Sequence, residues 1–424
     1  MPAWLAAILV LLVLACTATA SPWRTDPRSL TVKERLGVST HFAQGQPVEF
    51  LDYLQDLGIT WLRDEAPWQA FEPEKGQYTV PDKYAELAQG ARQRGLKQIW
   101  MLGYGNPIYE NPLDPEAYAV WSSWMAKQFE GEAIWWELWN EPHNFQVLQQ
   151  YGGNWDGSPP SPWVGKFLEL VGGAAKAMKE VSPDSERATG DDVWFNLNRF
   201  LEEGLSSDIT TLTMHPYTHS WTAPELSGLD GSYVVTVRKL AELAEQKLGH
   251  PVDLWVTEWG YGPAWEGGSF EDAAVFLARL YLANLATGTR VICWHTLMDW
   301  GDGPWGLLDN DHNKRPAYHA LKTLANTLGK YKFRRQVVGT PLLNEGALGL
   351  LFSAEEPRRW ALALWRMEGK SSFRLAELEG AVTRTDYLGE SAELTPVAGG
   401  LAIEVGEAPV YLTGLGATPQ VTAD

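Results

Sequence analysis

Two glutamates stand where they could do chemistry. Glu141 lies in ELWNEPHN and Glu258 in WVTEWGY, each at the polar end of an apolar run rich in aromatic and β-branched residues. Two carboxyl groups on either side of an acetal carbon can open it: one protonates the departing oxygen, and the other attacks the carbon or activates water. A glycosidic bond is such an acetal, so the chemistry indicated is cleavage between sugars. Other acids at run ends, Asp64 and Asp191, lack this pairing with an adjacent Asn or Trp. The chain also carries 22 Trp, 15 Tyr and 13 Phe. Most of these are expected in the core. Several Trp stand beside polar residues, however, and sugar rings have apolar C–H faces that stack on flat aromatic surfaces.

The elements that must position these glutamates recur along the chain. Short apolar runs at 35–42, 59–65, 97–105, 133–142, 187–192, 209–217, 253–261 and 291–299 read as strands. Helix-like stretches such as DKYAELAQGARQRG and EDAAVFLARLYLANLATG lie between them, the latter opening after Ser269 and closing on Gly288. This alternation is the mark of βαβ units and a parallel sheet, and eight such units make a (β/α)8 barrel. Nearly every run begins apolar and ends polar: His41, Arg63, Asn106, Asn140, Asp191, Asp192, His215, Glu258 and His295 close them. In a barrel those ends ring one mouth, and the fourth and seventh strands face each other across it. A doubly wound sheet is the alternative, but it would not gather eight polar ends around one axis.

After residue 330 the pattern changes to short strands separated by Gly, Pro, Glu and Ser, with no helix between them. Residues 331–424 therefore read as a small antiparallel β-sandwich, expected to be structural rather than a sugar-binding module. Residues 35–330 form the barrel, and 21–34 a linker or extra edge strand. The first 20 residues, with the apolar run AWLAAILVLLVLAC and Ala18-Thr19-Ala20, resemble a secretory signal cleaved before Ser21. An uncleaved anchor and a lipoprotein signal ending at Cys16 are the alternatives. A secreted, periplasmic or cell-surface protein is expected. Cys293, inside VICWHTL, is then the one cysteine left, a small core residue rather than half of a disulfide.

The formal net charge of −19 argues against a nucleic-acid partner, which requires a basic footprint. The eight histidines show no H-E-x-x-H spacing, and GYGNP lacks the third glycine and helix start of a dinucleotide site. No metal, no cofactor and no obligate protein partner are expected.

At this point the chain resembles a family. WNEPH and TEWG look like the two catalytic motifs of the large clan of barrel glycoside hydrolases, clan A, with acid/base on strand four and nucleophile on strand seven. GITWLRDEAPWQAFEPEKGQY, LGYGNPIY, HPYT, GLLDNDHNKRPAYHALKTL and EAPVYLTG add to the likeness. Together they are most similar to glycoside hydrolase family 39 and bacterial exopolysaccharide glycosidases, with family 5 next. The resemblance implies a retaining hydrolase of β-glycosidic bonds in a poly- or oligosaccharide. Glu141 would be acid/base and Glu258 nucleophile. Arg63 would be the cation beside Glu258 and Tyr217 its hydroxyl partner, with His215 a neighbour in the sugar site. Asn140 would bond the sugar 2-hydroxyl, and Trp294 would be the platform beneath the reacting sugar. His41, Trp68 and Asn106 are further candidate rim contacts. His143 departs from the Asn more usual after NEP, and the long loop from Gln146 to Trp163 leaves the substrate open. A transglycosylase using the same glutamates, or a non-catalytic carbohydrate-binding barrel, are the alternatives.

Overall fold

The computed structural model describes residues 26–423, apart from 192, 219–221, 264–266, 302, 356–358, 379 and 398–399. The expected signal at 1–20, with Cys16, lies outside the described residues, as does Asp192.

Eight parallel strands close into a barrel in sequence order: β1 (Leu36–Ser39), β2 (Trp61–Pro67), β3 (Lys97–Gly103), β4 (Ile134–Leu138), β5 (Arg187–Asp191), β6 (Thr211–Met214), β7 (Asp253–Trp259) and β8 (Val291–Trp294). Each falls within or beside a run expected from sequence. Most stop earlier than expected, because the polar tail of the run has already left the ladder. The helices are α1 (Leu51–Leu57), α2 (Trp68–Phe71), α3 (Asp82–Gln93), α4 (Pro115–Gln128), α5 (Val147–Tyr151), α6 (Pro162–Val181), α7 (Trp194–Glu202), α8 (Tyr233–Leu248), α9 (Phe270–Thr287) and α10 (Pro316–Leu328). Residues 27–29 and 33–35 form short 3-10 turns, so the described part of the expected linker adds no edge strand.

The inward side chains stack in layers, as the pleat requires. Trp61, Ile99, Trp135, Ala188, Trp255, Val291 and Cys293 fill the barrel floor as a separate apolar cluster. Gly37 on β1 makes room for it: a Cβ there would lie 2.7 Å from Cys293 Sγ and 2.9 Å from Trp61 Cβ. Cys293 is thus a buried residue of the floor.

The C-terminal region is a sandwich of two antiparallel sheets. The larger has the order β14-β13-β16-β11-β10-β9, and the smaller β15-β12-β17. Its strands are β9 (Lys332–Val338), β10 (Ala347–Ala354), β11 (Arg359–Arg366), β12 (Ser371–Ala376), β13 (Val382–Asp386), β14 (Ser391–Leu394), β15 (Leu401–Val405), β16 (Val410–Leu415) and β17 (Gln420–Ala423). β10 and β11 are apolar without alternation because both of their faces are covered. Leu348, Leu350, Phe352 and Trp365 join the barrel's main core, whereas Leu351, Leu362 and Leu364 face Phe373 and Ile403 of the second sheet.

Helix α9 lies between the two bodies. Ser269 and Asp272 form a capping box at its start, and Gly288 ends it in the left-handed conformation at φ 85°. It is buried almost all round, as a helix covered on both sides should be. Its one buried cation, Arg279, grips Glu225 with Nε–Oε1 at 2.8 Å and Nη2–Oε2 at 3.0 Å. The Trp365 indole of β11 donates to the same carboxylate at 2.8 Å, tying sandwich to barrel.

Candidate active site

At the C-terminal ends of the strands opens a cleft of about 550 Å³, within the usual range for ligand sites. Glu141, Glu258, Asn140, Arg63, Tyr217 and His41 all line it. A second cavity of about 530 Å³ opens at the opposite end of the barrel, beside Arg28, Pro251 and Arg290. In barrels that end serves stability rather than chemistry.

Local backbone devices aim the two glutamates. On β7 the four residues Val256 to Trp259 span the interval that three residues, Ile292 to Trp294, span on β8, so the strand carries a bulge. The extra residue lets the consecutive Thr257 and Glu258 both serve the mouth, while Trp259 returns outward against Tyr233 and Phe276. β4 ends at Leu138, and Trp139 and Glu141 then take positive φ of 71° and 39°. This turn out of the ladder presents Asn140 and Glu141 together to the cleft.

Beneath the cleft lies a continuous hydrogen-bonded network. Arg63 Nη1 pairs with Glu258 Oε1, Nε with Glu137 Oε2 at 2.6 Å, and Nη2 donates to Asn140 Oδ1 at 2.8 Å. The Thr257 hydroxyl donates to Glu137 Oε1 at 2.7 Å. Since a hydroxyl has one hydrogen, its oxygen must accept from His215 Nε2, which lies 2.9 Å away. That assigns the Nε2 proton and turns His215 Nδ1 toward Glu141 Oε1 at 2.7 Å. Asn144 Nδ2 donates to the other Glu141 oxygen at 3.0 Å. Tyr217 donates to Glu258 Oε2 at 3.2 Å, and His295 Nδ1 lies 3.6 Å from the same oxygen.

The electrostatics separate the groups. Burial alone would raise the Glu258 carboxyl, but His215, Arg63 and His295 together with the Tyr217 hydroxyl outweigh it and hold the group well below the usual carboxylate range. Burial would lower the His215 imidazole, yet Glu258 and Glu141 outweigh it and leave it above its ordinary value. Glu141 and Glu258 keep 11% and 13% of their side-chain surface, so both reach the cleft.

Glu141, His215 and Glu258 are also the one group of potential metal ligands gathered within 4.8 Å among the described residues. The donor set fits a cation poorly. Both His215 nitrogens are engaged, and a guanidinium already neutralises Glu258, so an ion would have to displace the protein's own positive charge.

Three sequence expectations need correction. Trp294 is 1% exposed: it follows inward-facing Cys293, so the pleat turns it outward, where it packs on Phe276 and donates to the Trp305 carbonyl at 3.1 Å. Trp305, from the loop after β8, lines the cleft in its place. Trp68 is fully buried, stacked on Trp121 with its indole on Glu72. Asn106 is also buried, with its amide on the Glu72 carbonyl and its carbonyl oxygen on the Ile108 N–H. His143, the departure after NEP, bonds Asp191 at 2.7 Å.

Sequence reasoning also missed cleft residues. Glu65, Gln44, Tyr104, Phe145, Trp300 and Trp305 all line the site. Trp300 stacks on His41 at 5.2 Å and 15°, and Tyr104 packs on Phe145 at 5.6 Å, giving the cleft two aromatic walls. Glu65 was findable, being two residues beyond Arg63 on one strand face. Trp300 and Trp305 lie on a loop with no periodicity to place them.

A closed eight-stranded barrel with a C-terminal β-sandwich is a fold this chain shares with solved structures of glycoside hydrolases. The chain is similar to the family 39 glycoside hydrolase of the gut symbiont Bacteroides cellulosilyticus WH2, with TM-score 0.74 and 21% identity over 92% of this chain and 81% of that one. It is similar to the family 39 enzyme of Xanthomonas axonopodis pv. citri at TM-score 0.57 and 16% identity, covering 91% and 94% of the two chains. A family 30 endoxylanase of Clostridium papyrosolvens C71 gives TM-score 0.60 and 12% identity, covering 91% and 98%. No family model and no curated protein matches the sequence.

Proposed function

We propose that this chain is a retaining glycoside hydrolase that cleaves β-glycosidic bonds of a poly- or oligosaccharide. The observation that carries the reading is proximity: an oxygen of Glu141 lies within 4.8 Å of one of Glu258. Retaining enzymes hold their carboxyl groups about 5–5.5 Å apart, whereas inverting ones need about 6.5–9.5 Å to fit a water between them. Glu258, held ionised, attacks the anomeric carbon as the bond to the leaving oxygen breaks, and Glu141 gives that oxygen its proton. Glu141 then takes a proton from water, which attacks the same carbon and frees Glu258. Asn140, oriented by Arg63, is placed to meet the 2-hydroxyl, and the aromatic walls to hold sugar faces. His215 acts as a positioning residue for Glu141. The apolar N-terminal run supports export to where polysaccharide is met.

The test is a screen of polysaccharides and aryl β-glycosides with wild type, Glu258→Gln and Glu258→Ala, following the anomer first released by proton NMR. Retention in the wild type is expected, with a loss of about 10⁴-fold or more in both variants. Inverted product, or a variant as fast as wild type, defeats the reading.

A further inference from the structure

Strand β2 carries Trp61, Arg63 and Glu65 on its inward face, one above the other. Trp61 belongs to the floor, Arg63 grips Glu258, and Glu65 reaches the cleft. Glu65 Oε1 accepts from the Tyr104 hydroxyl at 2.9 Å, and Oε2 from Gln44 Nε2 at 2.6 Å. A carboxylate accepts about four hydrogen bonds, so each oxygen keeps one acceptor position. Glu65 lines the cleft together with Trp300, His41, Tyr104 and Phe145.

Carboxyl groups are prominent around Glu65. Four carboxyl groups line the cleft: Asp64, Glu65, Glu141 and Glu258. Asp64 is taken up by the Thr40 hydroxyl and the Phe42 and Ala43 amides. Among the described lining residues there is no lysine and one arginine. That arginine, Arg63, directs three of its five N–H bonds to Glu137, Glu258 and Asn140. The sugar attacked by Glu258 must lie against the residues clustered round Glu258, and Glu65 stands next above Arg63, the partner of Glu258, on the same inward strand face.

We infer that Glu65 is the specificity-determining residue of the glycone subsite, accepting two hydroxyl donors of a neutral sugar and excluding uronic acids. This rests on the glycosidase reading. A neutral sugar offers O–H donors at its ring carbons. A uronate carries a carboxylate in place of the exocyclic hydroxymethyl group, and here that carboxylate would face the Glu65 carboxylate.

The experiment compares aryl β-glucoside, β-galactoside, β-mannoside and β-xyloside with β-glucuronide and β-galacturonide, using wild type, Glu65→Gln and Glu258→Gln. Wild type is expected to favour its best neutral substrate over either uronide by about 100-fold or more in kcat/KM. Glu65→Gln is expected to raise KM for that substrate roughly 10- to 100-fold, the worth of hydrogen bonds to a charged acceptor. Its kcat should stay within about 5-fold of wild type, and the neutral-to-uronide ratio should fall about tenfold or more. A preferred uronide, or an unchanged KM and ratio in Glu65→Gln, overturns the assignment. Failure of the catalytic reading shows differently, as undiminished turnover by Glu258→Gln or turnover of nothing. In the latter case, the ratio of Kd for neutral and uronate oligosaccharides, measured on Glu258→Gln with and without Glu65→Gln, decides Glu65 by the same criterion.

Discussion

The barrel interior changes character within two residues. At its floor Trp61, Trp135 and Trp255 meet ring to ring, with Trp61 4.7 Å from Trp135 and 6.0 Å from Trp255. One pleat higher on the same three strands stand Arg63, Glu137 and Thr257, a charged and hydrogen-bonded set. The two layers share backbone, twist and register, so the difference lies in side chains alone. The indole floor closes the barrel from below and leaves the ring of charges no water on that side. Attraction between its members is correspondingly strong. Neither layer would suffice: the floor has no chemistry, and the ring without a dry floor would be a set of solvated ions.

That comparison can be broken from either layer. Glu137→Gln should have the largest effect, because it strips Arg63 and Thr257 of a buried partner. A loss of about 3–5 kcal/mol in denaturant unfolding is expected, together with a fall in kcat, since Arg63 and His215 both lose their anchor. Trp255→Ala should cost a comparable ~3–5 kcal/mol through the cavity it opens. Its kcat, measured well below the melting temperature, should drop far less than that of Glu137→Gln. Equal losses of kcat would show that floor and ring are not separable. The smallest effect belongs to Tyr217→Phe, which removes one donor from ionised Glu258 and should slow turnover about 3- to 10-fold. Its sign in pH is fixed. The Glu258 carboxyl is lowered in the folded protein, so wild type should keep its activity below about pH 4.3. Losing a donor to the charged form raises that group, and the acid limb of kcat/KM must move up in pH.

Much of this architecture was legible from period alone. Apolar runs with polar ends located all eight strands, and the two glutamates followed from Asn140 and Trp259 beside them. Parity was the information left unused. Had Cys293 been read as an inward residue, its neighbour Trp294 could not have been a cleft platform, and the same step from Arg63 leads directly to Glu65. Trp300 and Trp305 were out of reach for another reason: they hang on a loop whose course is set by tertiary contacts, such as the Thr296 and Trp305 backbone bond. The bulge in β7 left no mark in composition either, because one extra residue in a strand changes no propensity. In the sandwich, β14 and β17 are short, polar edge strands that no apolar alternation marks.

The burial of α9 between the two bodies has a consequence for biosynthesis. A ribosome makes every strand of the barrel before it makes the sheet that covers this helix, and that sheet needs β16, ending at Leu415, to join β11 to β13. Until nearly the whole chain has emerged, the outer face of α9 and the Glu225–Arg279 pair lack Trp365 and its neighbours. The nascent barrel is therefore an oily, incomplete object, and a chain ending after Lys330 should be captured by chaperones rather than accumulate as a free-standing catalytic unit.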